Sequence, residues 1–206
     1  TRALGRGELD TPVDDFNLKD EVGTLARQFR SMQASLKNYI QQLNQQTAQR
    51  ERLEGELGAA HEIQMQMLPD HGQSSVKQAH WQLSALLKPA KSVGGDFYHY
   101  QLLDQQRLFF ALGDVSDKGV AAALFMAKTQ TLLRQLCMDH VDPGQLLGMV
   151  NRQLCIDNNS CMFVTLLAGT LDIASGELQM ASAGHTPPIL FEHKCQPINM
   201  VAGAAL

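Results

Sequence analysis

The sequence predicts an α+β fold that follows a long coiled-coil helix, and two observations give this prediction. Between Val22 and Leu57, apolar residues recur mostly at alternating steps of three and four, which is the seam of a coiled coil. Beyond Pro69, short apolar segments typical of strands and long amphipathic segments typical of helices come in blocks, which favours a layered α+β domain. The chain of 206 residues therefore divides into a helical stalk and a mixed domain.

The stalk carries a regular apolar seam with one polar interruption. Gln46 and Arg50 occupy successive seam positions, and the apolar pattern resumes after them. The first part of the seam consists of Val22, Leu25, Phe29, Met32, Leu36, Tyr39 and Leu43. Because heptads sustained over several turns require a partner helix, we expect a parallel homodimer.

Turn signals and apolar runs delimit the elements after the stalk. The long helix should end at Leu68-Pro69, because proline lacks the amide that a helix interior needs. A polar loop is expected next. The predicted strands are residues 81–87, 96–103, 107–115, 162–171 and 177–183 and one that starts at residue 188; the predicted helices start at Gly119 and, with an N-cap acceptor and a following proline, at Asp142.

Composition excludes several classes of function. The chain has 17 basic and 21 acidic residues without long runs of either, which argues against nucleic acid as a partner. No segment approaches the roughly 18 apolar residues of a membrane-spanning helix, so we expect this part of the protein to be soluble. Four cysteines show no zinc-ligand spacing and are predicted to be buried free thiols of a reducing compartment: Cys137, Cys155, Cys161 and Cys195.

Two aspartates at strand ends give the strongest chemical signal. Asp96 lies in the segment VGGDFY, Asp114 lies in LGDVSDKG, and the apolar run LFFAL between them predicts a buried strand. A carboxylate at the edge of a core requires a cation or a hydrogen-bond cluster to offset its desolvation. Two such carboxylates indicate a site for a hard metal with oxygen ligands.

Four segments of the chain carry a family resemblance. HEIQMQMLP, VGGDFYHY, GDVSDKGVAAALFMAKTQTLLR and MFVTLLAGTLDIASGELQMASAGHTPPIL resemble, in order and approximate spacing, the SpoIIE/RsbU-like serine phosphatases of the metal-dependent PPM superfamily. The resemblance runs from about Ala59 to the C-terminus. It implies a PPM-like α-β-β-α sandwich, incomplete at its C-terminus, that uses two Mn²⁺ or Mg²⁺ ions.

The resemblance also implies site residues. Asp96 would bind one metal, and Asp114 would bridge two, with the main-chain carbonyl of Val115 as a further ligand. His185, in the segment AGHTPP, would contact substrate or hold a strand-to-turn connection in place. Many relatives carry glycine where Asp117 stands, so its side chain is predicted to cap the next helix rather than to act in the site.

The N-terminal residues resemble the second half of a HAMP domain. A turn-rich entry is followed by Asp20-Glu21-Val22-Gly23, an acidic pair and a glycine at the start of the long helix. We therefore divide the chain into a HAMP half with the start of a signalling helix (1–44), a coiled-coil regulatory linker (45–69) and the N-terminal part of a phosphatase domain (70–206). The sequence is expected to be truncated at both ends, with a membrane segment upstream and a location on the cytoplasmic side of the bacterial inner membrane.

The function implied by the resemblance is signal transduction. The domain would remove phosphate from phosphoserine or phosphothreonine on a regulatory protein, such as a STAS-type anti-sigma factor antagonist, with water activated at a two-metal site. One alternative is a catalytically inactive, phosphatase-like module that binds a partner. Another is a diguanylate-cyclase-type output domain, because Gly94-Gly95-Asp96-Phe97 resembles part of that signature, although the second acidic residue is absent.

Overall fold

The computed structural model describes residues 20–78, 80–89, 92–139, 142–191 and 195–206. The chain divides into two compact units, Thr1–Glu56 and Leu57–Leu206. Most of the predicted HAMP segment, residues 1–19, lies outside the described residues. Within the described ranges, no helix has both the length and the apolar character that crossing a membrane demands.

The first helix, α1, spans Glu21–Met67. Its start is capped by Asp20, whose carboxylate accepts a hydrogen bond from the amide of Gly23 at 3.0 Å. A 3₁₀ turn at Pro69–Gly72 follows directly, so the predicted helix end at Leu68-Pro69 is confirmed. Large apolar side chains of the predicted seam stand exposed in the single chain, among them Leu25, Met32, Leu36, Tyr39 and Leu43.

The strands are β1 (Gln73–Lys77), β2 (Gln82–Leu86), β3 (Phe97–Leu102), β4 (Arg107–Val115), β5 (Val164–Asp172), β6 (Leu178–Ala183), β7 (Ile189–Phe191) and β8 (Cys195–Pro197). The main sheet has four antiparallel strands in the order β3-β4-β5-β6, and a two-stranded hairpin precedes it and another follows it. β4 and β5 are its central, longest strands, and both are largely buried.

Strand β1 lies where the sequence pattern predicted a polar loop. Its residues, Gln-Ser-Ser-Val-Lys, lack an apolar alternation, so the prediction missed it. Pairing with β2 supplies its backbone partners, and a polar contact anchors it. The hydroxyl of Ser74, a residue only 2% exposed, lies 3.1 Å from the hydroxyl of Tyr98 on β3.

Two helices cover one face of the main sheet and enclose the core. They are α2 (Val120–Leu136) and α3 (Pro143–Leu154). The predicted N-cap of α3 is confirmed, because the Asp142 carboxylate accepts hydrogen bonds from the amides of Gly144 and Gln145. Core side chains come from both layers: Phe97, Phe109, Ala111, Val115, Met126, Leu133, Leu146, Val150, Leu154, Val164 and Leu166.

The prediction of buried cysteines is correct for only one residue. Cys137, which directly follows α2, is buried. Cys155, Cys161 and Cys195 are exposed. The apolar neighbours of these three in sequence do not enclose them, because they lie at the end of α3, in the loop before β5 and in the exposed β7–β8 hairpin. All four are free thiols.

Candidate metal centre

Strand pairing brings the two predicted aspartates together. Asp114 is the penultimate residue of β4, and Asp96 directly precedes β3. Because Phe97 pairs with Gly113, the next step outward in the register places Asp96 opposite Asp114. The hairpin therefore sets two carboxylates side by side at one end of the sheet.

The pKa of Asp96 is raised above its usual value. Partial desolvation is the largest cause, followed by a hydrogen-bond contact with Asp114 and the negative charge of that residue. Electrostatic interactions with His185 and Lys118 act in the opposite direction. Two carboxylates held this close repel each other when both are ionised, and a bound cation would relieve that repulsion.

The main-chain carbonyl of Val115 lies against the turn that carries Asp96. A Cβ atom added to Gly95 would stand 2.9 Å from the carbonyl oxygen of Val115 and 2.9 Å from the Cβ atom of Val115. Only glycine therefore lets the two backbone segments approach this closely. The predicted carbonyl ligand thus lies next to the loop that holds the first carboxylate.

A buried glutamine that the sequence analysis did not single out also holds this loop. The Gln64 side chain donates to the Gly94 carbonyl at 2.6 Å and accepts from the Gly94 amide at 3.1 Å. Gln64 is 5% exposed and stands one helical turn before the buried Leu68. A polar residue within the apolar stripe at the end of α1 was the signal that could have found it.

His185 lies near β4, the strand that carries Asp114. Its Nδ1 atom is 2.9 Å from the hydroxyl of Thr165, the residue that pairs with Asp114 across β4 and β5. The Thr165 hydroxyl also contacts the Asp114 carbonyl at 3.4 Å, and Ser182 donates to the His185 carbonyl at 3.2 Å. The predicted residue is thus near the centre and is held at both its ring and its backbone.

The turn between β4 and α2 differs from the prediction. The Asp117 carboxylate accepts from the adjacent Lys118 amide at 2.8 Å, and Gly119, which precedes α2, makes no side-chain cap. The predicted capping role of Asp117 is therefore wrong. The φ of Asp117 is 72°, which is in the left-handed region that glycine adopts without strain.

The two aspartates and the loop that Gln64 holds line a pocket of about 210 Å³. It is lined by Gln64, Pro89, Val93, Gly94, Gly95, Asp96, Asp114, Asp117 and Lys118. Two carboxylates and a nearby carbonyl are the ligand types that Mg²⁺ and Mn²⁺ prefer, so the donor set fits these ions in kind. In the part of the chain that the structure describes, no group of three or more His, Cys, Asp or Glu side chains could hold a metal ion, so the set is incomplete.

Family models match two segments of the chain. Residues 104–205 match the family described as Stage II sporulation protein E (SpoIIE), and residues 1–38 match the HAMP domain. The chain carries a SpoIIE-family domain preceded by a HAMP segment. The SpoIIE match begins just before β4 and includes Asp114, Val115 and His185.

Two curated relatives resemble the chain that carries this SpoIIE-family domain. Protein IcfG of Synechocystis sp. is 30% identical over 216 residues, which covers 91% of this chain and 33% of the relative. Phosphoserine phosphatase RsbU of Bacillus subtilis is 30% identical over 112 residues, which covers 54% of this chain and 33% of the relative. The chain therefore spans about a third of the length of these relatives.

Solved structures share the fold of the SpoIIE-family domain. The RsbU and RsbW domains of Rv1364c from Mycobacterium tuberculosis match with a TM-score of 0.52 at 30% identity, covering 58% of this chain and 34% of that one. The SiaA-PP2C domain of Pseudomonas aeruginosa matches with a TM-score of 0.53 at 22% identity, covering 66% and 55%. These matches confirm the predicted PPM-like α+β fold.

Proposed function

We propose that this SpoIIE-family domain is a metal-dependent protein serine/threonine phosphatase of bacterial signal transduction. One observation carries the proposal: the β3–β4 register sets Asp96 against Asp114 in a pocket next to the Val115 carbonyl. Oxygen ligands of this kind have little structural use at a sheet end, where they repel each other. Together they form part of a centre for hard cations.

Each residue of the centre has a defined task in this proposal. Asp96 would hold one Mn²⁺ or Mg²⁺ ion, and Asp114 would bridge two, with Val115 contributing its carbonyl. When bound, the two cations lower the pKa of a water molecule and offset the charge of the phosphoryl oxygens. Gly95 keeps the two ligand loops in contact, and the Thr165–His185 pair supports the strand that carries Asp114.

The proposed substrate is phosphoserine or phosphothreonine on a regulatory protein, such as a STAS-type anti-sigma factor antagonist. The relative RsbU is a phosphoserine phosphatase by name, and the similar structure from Mycobacterium tuberculosis is that of the RsbU and RsbW domains of Rv1364c. The HAMP segment supports a membrane-associated signalling protein. We place the domain on the cytoplasmic side of the inner membrane and keep the division into residues 1–44, 45–69 and 70–206 as part of the proposal.

Replacing the bridging carboxylate tests this function. In the full-length protein, Asp114→Asn should abolish Mn²⁺-dependent phosphate release from a phosphoserine protein, because one carboxylate positions both cations. The loss should exceed the roughly 10- to 100-fold that removal of a supporting group around a metal ligand causes. Asp96→Asn should also inactivate the protein but retain more metal affinity, since it would disturb one cation.

His185→Ala serves as the comparison, because a supporting or peripheral role predicts a smaller loss than either aspartate variant. Undiminished phosphate release in Asp114→Asn would refute the site assignment. The described residues hold an incomplete ligand set, which keeps an inactive partner-binding module as the second candidate. That module would bind its phosphoprotein without releasing phosphate at any Mn²⁺ concentration.

A further inference from the structure

Lys118 is the one basic residue among the described residues that line the metal-site pocket. Asp96, Asp114 and Asp117 give the same pocket three carboxylates. With no metal bound, the lining therefore carries a net negative charge. A phosphate monoester, which itself carries nearly two negative charges at neutral pH, would be repelled from such a pocket.

The ammonium group of Lys118 is available for a ligand. The residue is exposed, and its side chain forms no ion pair within 4 Å of any carboxylate among the described residues. Its backbone amide is bonded to Asp117, which leaves the side chain unconstrained by that contact. An ammonium group offers three donors and no acceptor, so a phosphate group is a suitable partner.

The backbone keeps Lys118 at the rim of the pocket. It stands between Asp117 and Gly119, which have φ values of 72° and 88°, in the short link from β4 to α2. Only three residues separate it from the carboxylate of Asp114. The charge of Lys118 is also felt by Asp96, since it lowers the pKa of that carboxyl against the effects of burial and of Asp114.

We propose that Lys118 binds the phosphoryl group of the substrate and supplies the protein's own counter-charge to its non-bridging oxygens. This inference rests on the proposed phosphatase function and adds a substrate-binding residue to it. Two divalent cations held by Asp96 and Asp114 would carry more positive charge than the three carboxylates of the pocket offset, and Lys118 would add to that surplus toward the incoming monoester. A lysine binds phosphate as a compact point charge, which suits a group whose oxygens rearrange during hydrolysis.

Inorganic phosphate, the reaction product, is the probe that isolates this role. In the full-length, Mn²⁺-loaded protein, Lys118→Ala should raise the dissociation constant of phosphate by about 10-fold or more, because a charge-assisted contact is lost. The KM for the phosphoprotein should rise in parallel. Calorimetry should show Mn²⁺ affinity unchanged within about twofold, since a lysine is not a metal ligand.

Two further variants complete the experiment. Lys118→Arg should retain most of the phosphate affinity, because it preserves the charge. Lys128→Ala is the matched control, since Lys128 is an exposed lysine on α2 that donates to the Ile156 carbonyl and does not line the pocket. Phosphate affinity in this control should equal that of the wild type.

The outcomes separate this inference from the proposed function. An unchanged phosphate dissociation constant in Lys118→Ala would refute the inference, as would a loss fully explained by weaker Mn²⁺ binding. If the wild-type protein released no phosphate from any phosphoprotein, the proposed function would fail. Calorimetric titration of phosphate into the Mn²⁺-loaded protein would still decide whether Lys118 holds the anion.

Discussion

At the scale of single residues, His99 is the main polar anomaly of the core. It is 7% exposed on β3, and neither ring nitrogen makes a well-formed hydrogen bond. Phe109 lies beside it, with ring centroids 6.1 Å apart. Burial lowers the pKa of His99 below its ordinary value of 6.5. The nearby Gln101 side chain raises that pKa by a smaller amount, and the positive charge of Arg134 lowers it further.

This shift predicts an acid-dependent loss of stability. The folded protein binds the His99 proton less readily than the unfolded chain does. Protonation of His99 therefore has no effect on stability well above the ordinary pKa, and stability falls as the pH drops below about 6.5. His99→Leu should therefore reduce the difference in melting temperature between about pH 7.5 and pH 5.5. The exposed His80→Leu is the control, and an identical pH dependence in wild type and His99→Leu would contradict the prediction.

At the scale of elements, the end of α1 is tied to the metal centre by two glutamines. Gln64 bonds both backbone groups of Gly94, and Gln130 on α2 donates to the Met67 carbonyl at 2.7 Å. Leu68 then enters the core, whereas Ile63 is 63% exposed. The last turns of α1 are therefore attached to both the loop before Asp96 and the helix after Asp114.

This attachment predicts that α1 influences metal binding. Gln64→Ala should destabilise the domain by about 1–3 kcal/mol, since it leaves a partly buried backbone amide and carbonyl unsatisfied. It should also weaken Mn²⁺ binding by roughly 10-fold, because Gly94 positions the loop that carries Asp96. Chemical denaturation and calorimetry measure the two effects. Gln66→Ala, an exposed position on the same helix, should change neither.

A finding of full Mn²⁺ affinity in Gln64→Ala would mean that the glutamine stabilises the fold alone.

The same elements show what sequence could predict. The β3–β4 hairpin and α2 followed from strong apolar patterns, and Asp96 and Asp114 followed from the motifs at their ends. Strand β1 and the Gln64 contact could not be predicted, because polar side chains such as Ser74 and Gln64 are buried there by partners distant in sequence.

At the scale of the whole molecule, the described part of the first unit, residues 20–56, exposes the large apolar side chains of a long seam. Its helix gains little from surface ion pairs such as Arg50–Glu54, because both side chains are exposed to solvent that screens their attraction. The regular seam could be predicted from sequence alone. The number of helices that cover the seam could not be predicted in the same way. A heptad pattern determines where the seam lies more firmly than it determines how many chains assemble around it.

We expect the seam to join two copies of the chain as a parallel dimer. Leu36→Glu should convert the dimer to a monomer at tens of micromolar, because two buried carboxylates would face each other across the seam. Light scattering measures the mass. Gln41→Glu adds the same charge at an exposed position outside the seam and should remain dimeric. A dimeric Leu36→Glu variant, or a monomeric wild type, would refute the seam interface.

The contact between Gly95 and Val115 bears on how relatives of this chain should be sorted into active and inactive members. A relative with alanine at position 95 would still carry both aspartates, and its metal site would therefore be taken as complete. Yet one added methyl group would overlap the Val115 carbonyl and separate the two loops, although every oxygen ligand remained. Loss of activity during divergence can therefore begin at a residue that has no functional group at all.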